Sequence, residues 1–170
     1  MIEYFVFICY NLIMNLKEQL RLFFSQPAFL SCLFSWLTAQ LIKTAIKLFS
    51  GKVKSLHELF ELLFWRTGSM PSSHAALVAS LCTAIGFSSG VNSDVFALSL
   101  GFYLVTIRDA VGVRRASGIQ AVLLNRLSRR LYEKGLIEEF KPVKEVQGHN
   151  PAEVVIGSLL GFFIGIAFSV

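Results

Sequence analysis

Four stretches of this chain, residues 28–42, 75–91, 95–107 and 154–170, contain no Lys, Arg, Asp or Glu, and they leave few ways to fold. The one nearby charge, Asp94, falls between the second and third. A bilayer core takes about 20 apolar residues per helix, with roughly 17 as the lower limit. Each block reaches that range once its polar ends are counted. A soluble core would have to bury all four inside 170 residues. Charged residues make up only 16%, against about 25% in a typical soluble domain. The expected class is therefore all-α: a polytopic membrane helix bundle of four transmembrane helices plus an N-terminal membrane-contacting helix. A single membrane-embedded domain covers residues 1–170, with a helix and linker over 1–27, the bundle over 28–170 and a polar loop over 112–148.

The N-terminal segment, residues 1–14, is apolar but carries Glu3 where a signal peptide has a basic region, and no small-residue cleavage site follows. It reads as a retained helix. Cys9, Cys32 and Cys82 sit within apolar stretches without paired or metal-ligand spacing, which predicts neither a disulfide frame nor a zinc site. The net charge of +5 comes from basic residues interleaved with acids and flanking the membrane segments. Its first explanation is topology, and no nucleic-acid partner is expected.

The first span runs from residue 28 to about 49, the second from 74 to near 90, and the third from 95 to about 111. Asn92-Ser93-Asp94 makes a tight turn between the last two, so the start of one and the end of the other share a side. The polar stretch 112–148 has helical spacing at 119–132 and no room for another span. The final span, 151–170, therefore starts from that same side, and the first span ends there. All 16 Lys and Arg residues except Lys17 and Arg21 then lie on it. The positive-inside rule makes this side cytoplasmic, which predicts the inner membrane with the site facing the cytoplasm. The connector between the first two spans is apolar at helical spacing over 56–65, as in a segment lying in the interface.

Three polar clusters converge on this face: Gly68-Ser-Met-Pro-Ser-Ser-His74, Arg108-Asp-Ala-Val-Gly-Val-Arg-Arg115 and Gln147-Gly-His-Asn-Pro-Ala-Glu153. Ionisable groups at membrane-embedded helix ends are costly and usually functional. Ser72 or Ser73 can cap the second span, whose opening N–H groups and dipole suit a phosphate. His74, in the first turn, could give a proton to a leaving oxygen, or it could simply be interfacial. Asn150 as cap, Pro151 in the first helical position and Glu153 three after the cap make a good helix start. Glu153 could complete a capping box or orient His149 four residues earlier, and the two uses compete for one side chain. Arg108, Arg114 and Arg115 could clamp phosphoryl oxygens or mark the membrane edge, and Asp109 beside Arg108 could be its partner. Lys43 either points into this region or snorkels to the surface. Gly157, Gly161 and Gly165 make a small-residue stripe, and Ala75/Ala79 and Ala76/Ser80 give the second span matching faces for close helix packing.

These motifs resemble a known family. Pro71-Ser-Ser-His74 is similar to the second signature of the type-2 phosphatidic acid phosphatases, relatives of the vanadium-dependent haloperoxidases. Gly148-His149 with Glu153 resembles their third. The pattern Ala39-Gln40-x2-Lys43, Gly68 to His74, Asp109 to Arg115 with Gly118, Gln120 and Asn125, and Gly148 to Glu153 looks like the divergent membrane branch of that superfamily, from about residue 28 onward. The resemblance implies a metal-independent phosphatase, without cofactor, acting on a lipid-like phosphomonoester such as phosphatidate or an isoprenoid phosphate. His149 would form a phosphohistidine, Glu153 would orient it, and His74 would protonate the leaving alkoxide. Arg108, Arg114, Arg115, Ser72, Ser73 and Lys43 would hold the phosphate, with Asp109, Gly68 and Gly148 as structural or orienting positions. The chain departs from the family in lacking its first signature, a Lys with Arg-Pro seven residues on, for which Lys43 with Arg66 or Arg108 are the available stand-ins. It has Glu where the family has Asp, Ser73 where it has Gly, and no Arg at the usual offset before His149. A non-catalytic relative that binds anionic headgroups is the alternative. A transporter fits less well, because the charges gather at one end. The bilayer is the other partner, and a homo-oligomer is left open.

Overall fold

The structure is a computed structural model and describes residues 15–50, 70–145 and 148–170. The expected N-terminal helix at 1–14, Cys9, the stretch 56–65, Arg66, Gly68 and Gln147 lie outside the described residues. Everything else is helix and connecting loop, with no strand among the described residues. After a helical stretch over 15–24 come α1 (Pro27–Phe49), α2 (Ser73–Ser89) and α3 (Asp94–Arg108). A π-helical turn (Asp109–Val113) leads directly into α4 (Arg114–Glu133), and α5 (Pro151–Ser169) closes the bundle.

Three helices are long and apolar enough to cross a bilayer: α1, α5 and the continuous unit Asp94–Glu133. The fourth expected span, α2, is apolar but has 17 residues, about 25 Å at 1.5 Å per residue against a core of about 30 Å. It is the most enclosed helix, packed against α1, α3 and α5. Its wall is made of small residues: Ala75, Ala76, Ala79, Ser80 and Ala84 are all buried.

The contact between α2 and α5 explains that composition. A Cβ added at Gly157 would collide with the carbonyl of Ser72, one at Gly161 with that of Ala76, and one at Gly165 would crowd the carbonyl of Ser80. The partners advance together, four residues at a time, so the two helices run parallel with backbones in contact. Ser72 N–H donates to the carbonyl of Glu153 at 2.9 Å, tying the two N-termini together. Without a hydrophobic effect between helices in lipid, such close approach supplies the packing energy. Helix α1 joins by the same device. Ser31, Ser35 and Ala39, each fully buried, recur every fourth residue along its inner face.

The third helix departs from expectation. A break near residue 112 was expected ahead of a helical stretch at 119–132; that stretch is helical, but the chain also stays helical without a break from Asp94 to Glu133. The π turn absorbs the irregularity: the N–H of Arg114 bonds the carbonyl of Asp109, five residues back. Forty residues of helix extend about 60 Å, twice the hydrocarbon core, so about half of it must project out of the core. Gly135, at φ +65°, ends this helix. The N–H of Leu136 bonds the carbonyl of Leu131 and that of Gly135 bonds Tyr132, the paired bonds of a Schellman cap. The chain then runs back along α4. The Asn125 amide holds Val143 through both its N–H and its carbonyl, at 2.8 Å each, and donates to Glu145 at 2.9 Å.

The backbone contact yields a direct expectation. Gly161→Ala should force α2 and α5 apart, costing about 1–3 kcal/mol and lowering the melting temperature in detergent by about 3–10 °C. Gly101→Ala, where nothing lies within 4 Å of the new Cβ, should melt like the parent. Equal melting of Gly161→Ala and the parent would refute the close contact.

Candidate active site

Because α2 and α5 are parallel and tied at their first turns, their N-termini open side by side. Each contributes unpaired N–H groups and about half a positive charge at its end. Ser72 caps α2 by accepting from Ala75 N–H at 3.4 Å. Ser73 is thereby left for another partner, and Lys43 supplies it: Nζ donates to Ser73 Oγ at 3.0 Å. Lys43 is 3% exposed and does not snorkel. It is the next residue in the Ser31, Ser35, Ala39 series, so the packing that buries those small residues carries the ammonium inward. A buried ammonium needs compensation, and besides Ser73 it lies within electrostatic reach of Glu153.

His149 precedes α5 and is 5% exposed. Its Nδ1 lies 2.8 Å from Glu153 Oε2. A carboxylate can only accept, so Nδ1 carries a proton, and in the neutral ring it is Nε2 that holds the lone pair. The same oxygen accepts from Asn150 N–H at 3.3 Å. The two uses foreseen for Glu153 therefore do not compete, because one oxygen serves the cap and the imidazole together. Gly148 makes this possible: its Cα lies against the backbone of Arg115, leaving no room for a Cβ. The return segment is seated on the first turn of α4, and His149 is delivered beside α2.

His74, in the first turn of α2, is exposed. Lys43, Asp109, Arg114 and His149 all lie within electrostatic reach of it. Asp109, a possible partner for Arg108 by sequence, pairs with Arg114 instead. Its Oδ2 accepts from Arg114 Nε at 2.6 Å, because the π turn brings residues five apart onto one face. Below, Ala75, Ala110 and Val154 form a buried apolar cluster joining α2, the π turn and α5.

The structure thus gathers Lys43, Ser72, Ser73, His74, Asp109, Arg114, Gly148, His149 and Glu153 around the paired helix starts. The side chains of Arg108 and Arg115 are exposed and make no hydrogen bond or ion pair among the described residues. Arg115 contributes through its backbone, against Gly148. Two residues gain importance from the structure. Gln40 is 5% exposed with Oε1 unpartnered among the described residues, one turn before Lys43. Asn125 clamps the return segment. The sequence signal for Lys43's inward path was the four-residue spacing of small residues before it. Among the described residues no group of three or more His, Cys, Asp or Glu is placed to hold a metal ion.

Residues 24–164 match the family model described as Divergent PAP2 family. The chain is 34% identical over 150 residues, 82% of its own length and 92% of the other, to the uncharacterized membrane protein YuiD of Bacillus subtilis (strain 168). No solved structure matches it.

The seating of His149 can be tested without reference to activity. An imidazole N–H bonded to a carboxylate gives a downfield proton resonance, and the parent protein should show one that disappears in His149→Ala. Gly148→Ala should abolish or broaden it by lifting the return segment off Arg115. Gly112→Ala, with open space around its Cβ, should leave it intact. An unchanged resonance in Gly148→Ala would disprove the seating.

Proposed function

This multi-pass membrane protein belongs to the Divergent PAP2 family, and from that premise we propose that it is a phosphatase of lipid or isoprenoid phosphomonoesters. The observation that carries this reading is the buried His149–Glu153 pair at the meeting of two helix N-termini. The phosphoryl group sits over those N-termini, with Lys43 beneath and Arg114 beside it. His149 Nε2 attacks phosphorus, the P–N bond forms, and the bond to the ester oxygen breaks. His74 passes its proton to the departing alkoxide. Glu153 stabilises the imidazolium side of the phosphohistidine by accepting from Nδ1–H. Water then attacks phosphorus, His74 takes its proton back, and the P–N bond breaks to release phosphate. The chemistry needs little beyond positioning and stabilised oxyanion charge, and no metal. Arg114 is held on Asp109 and turns to the phosphoryl oxygens when they arrive.

The site faces the cytoplasm of the inner membrane in this reading, because the hairpin pattern of the sequence assigns every Lys and Arg except Lys17 and Arg21 to its side. A second reading, a non-catalytic protein that binds anionic headgroups, draws on the missing Lys and Arg-Pro signature.

The purified protein in detergent, with chelator present, is expected to release phosphate from long-chain alkyl or isoprenoid monophosphates. His149→Ala should lower kcat by about a thousandfold or more, and Glu153→Gln by roughly a hundredfold. His74→Ala should lose far more activity on alkyl phosphates than on aryl phosphates, whose leaving group needs no proton. Phosphate release that survives in His149→Ala would remove the nucleophile assignment. Headgroup binding without release in the folded parent would favour the second reading.

A further inference from the structure

Helix α4 has two unlike sides. At 3.6 residues per turn, positions two apart point about 200° away from each other. The Asn125 amide holds Val143, and Ala121, one turn earlier on the same side, is buried, so this is the side that faces the return segment. Leu123 and Leu127 each follow one of these residues by two and lie on the opposite side, in one row with Ile119. Ile119, Leu123 and Leu127 are 54%, 56% and 56% exposed, and Leu124 widens the row. Arg126 and Arg130 run along one flank, each three residues past a leucine of the row and so about 60° round the helix from it. Their side chains make no hydrogen bond or ion pair among the described residues, whereas Arg129 reaches Glu133 at 3.7 Å. In all, α4 carries five arginines and one glutamate. Beyond the π turn it scarcely touches the other helices.

We propose that α4 rests on the bilayer surface as an arm that binds anionic lipid headgroups. The row of Ile119, Leu123 and Leu127 turns to the acyl boundary, and Arg126 and Arg130 reach the phosphates. An apolar row beside unpaired arginines is the make-up of a helix lying in a membrane interface. Position supplies the bilayer, because α4 starts at Arg114, level with the paired helix N-termini. The π turn is the corner at which the arm leaves the direction of α3, since helices kink at such turns. Within it, a Cβ on Gly112 would meet nothing within 4 Å. Charge decides against a second copy as the cover. That copy would bring an equal excess of positive charge, whereas each arginine is drawn to an anionic surface. The proposal goes beyond phosphate hydrolysis and does not depend on it: the arm gathers anionic lipid beside the helix N-termini whether or not the site cleaves it.

The test places the full-length protein in nanodiscs of phosphatidylcholine, alone or mixed with phosphatidylglycerol. Cysteines introduced on α4 are reacted with a water-soluble maleimide, the parent chain giving the background from Cys9, Cys32 and Cys82. Each rate is divided by that of the unfolded chain. In the mixed discs Leu127→Cys should react about tenfold more slowly than Arg129→Cys, which lies across the helix. High salt, or Arg126→Gln combined with Arg130→Gln, should return most of the lost rate. A circular dichroism spectrum checks the fold of every variant. Equal rates at the two positions in mixed discs overturn the proposal, as does protection at 127 that is the same with and without phosphatidylglycerol. A disulfide joining two copies of Leu127→Cys on mild oxidation also overturns it, and makes a second copy the cover.

Discussion

The parallel contact between α2 and α5 is the constraint on which the rest depends. Gly157, Gly161 and Gly165 lie on the carbonyls of Ser72, Ala76 and Ser80. Antiparallel packing would have put His74 and Glu153 at opposite faces of the membrane. Parallel packing in this register puts two helix N-termini at one depth and aims both dipoles at one point. The Ser72 to Glu153 backbone bond locks that register. A glycine stripe is often only a means of bringing helices close. Here closeness also determines which polar groups can meet.

The second constraint is the route by which His149 returns. The chain leaves the bundle on a helix of 40 residues and must come back to within contact of α2. The Schellman cap at Gly135 turns it, the Asn125 amide holds it in register, and Gly148 seats it on Arg115. The π turn earlier in the same helix adjusts the phase, so that Ala110 faces the apolar cluster while Asp109 and Arg114 face each other. Site geometry is therefore carried by backbone devices lying outside the two histidines.

The charges are arranged so that no acidic group opposes an incoming anion. Glu153 is engaged by His149 and the α5 cap, and Asp109 by Arg114. What remains facing the junction is the buried ammonium of Lys43, the two helix ends and His74. Buried charge of this kind is costly in a low-dielectric surrounding and weak evidence for stability.

Much of this was legible in the sequence because it follows from one-dimensional patterns. Uncharged blocks show where helices lie, the Asn92–Asp94 turn sets the hairpin, and the hairpin forces the polar clusters onto one face. The pairing of His149 with Glu153 follows from their four-residue separation, and the close helix contact from the glycine spacing. Other features depended on three-dimensional relations that local patterns do not settle. Whether Lys43 turned inward was decided by the burial of Ser31, Ser35 and Ala39 ahead of it. Asp109 chose Arg114 over Arg108 because a π turn shifts helical phase, and nothing in Asp-Ala-Val-Gly-Val announces that turn. The helix expected over 119–132 is present, but the break expected before it is not, because the π turn carries the hydrogen-bond ladder from α3 into α4. The return along α4 needed Asn125 to meet Val143, eighteen residues away. Sequence alone determined the helices and the face on which their polar ends gather; the tertiary structure decided which of those ends touch, because contact depends on helix phase and backbone approach.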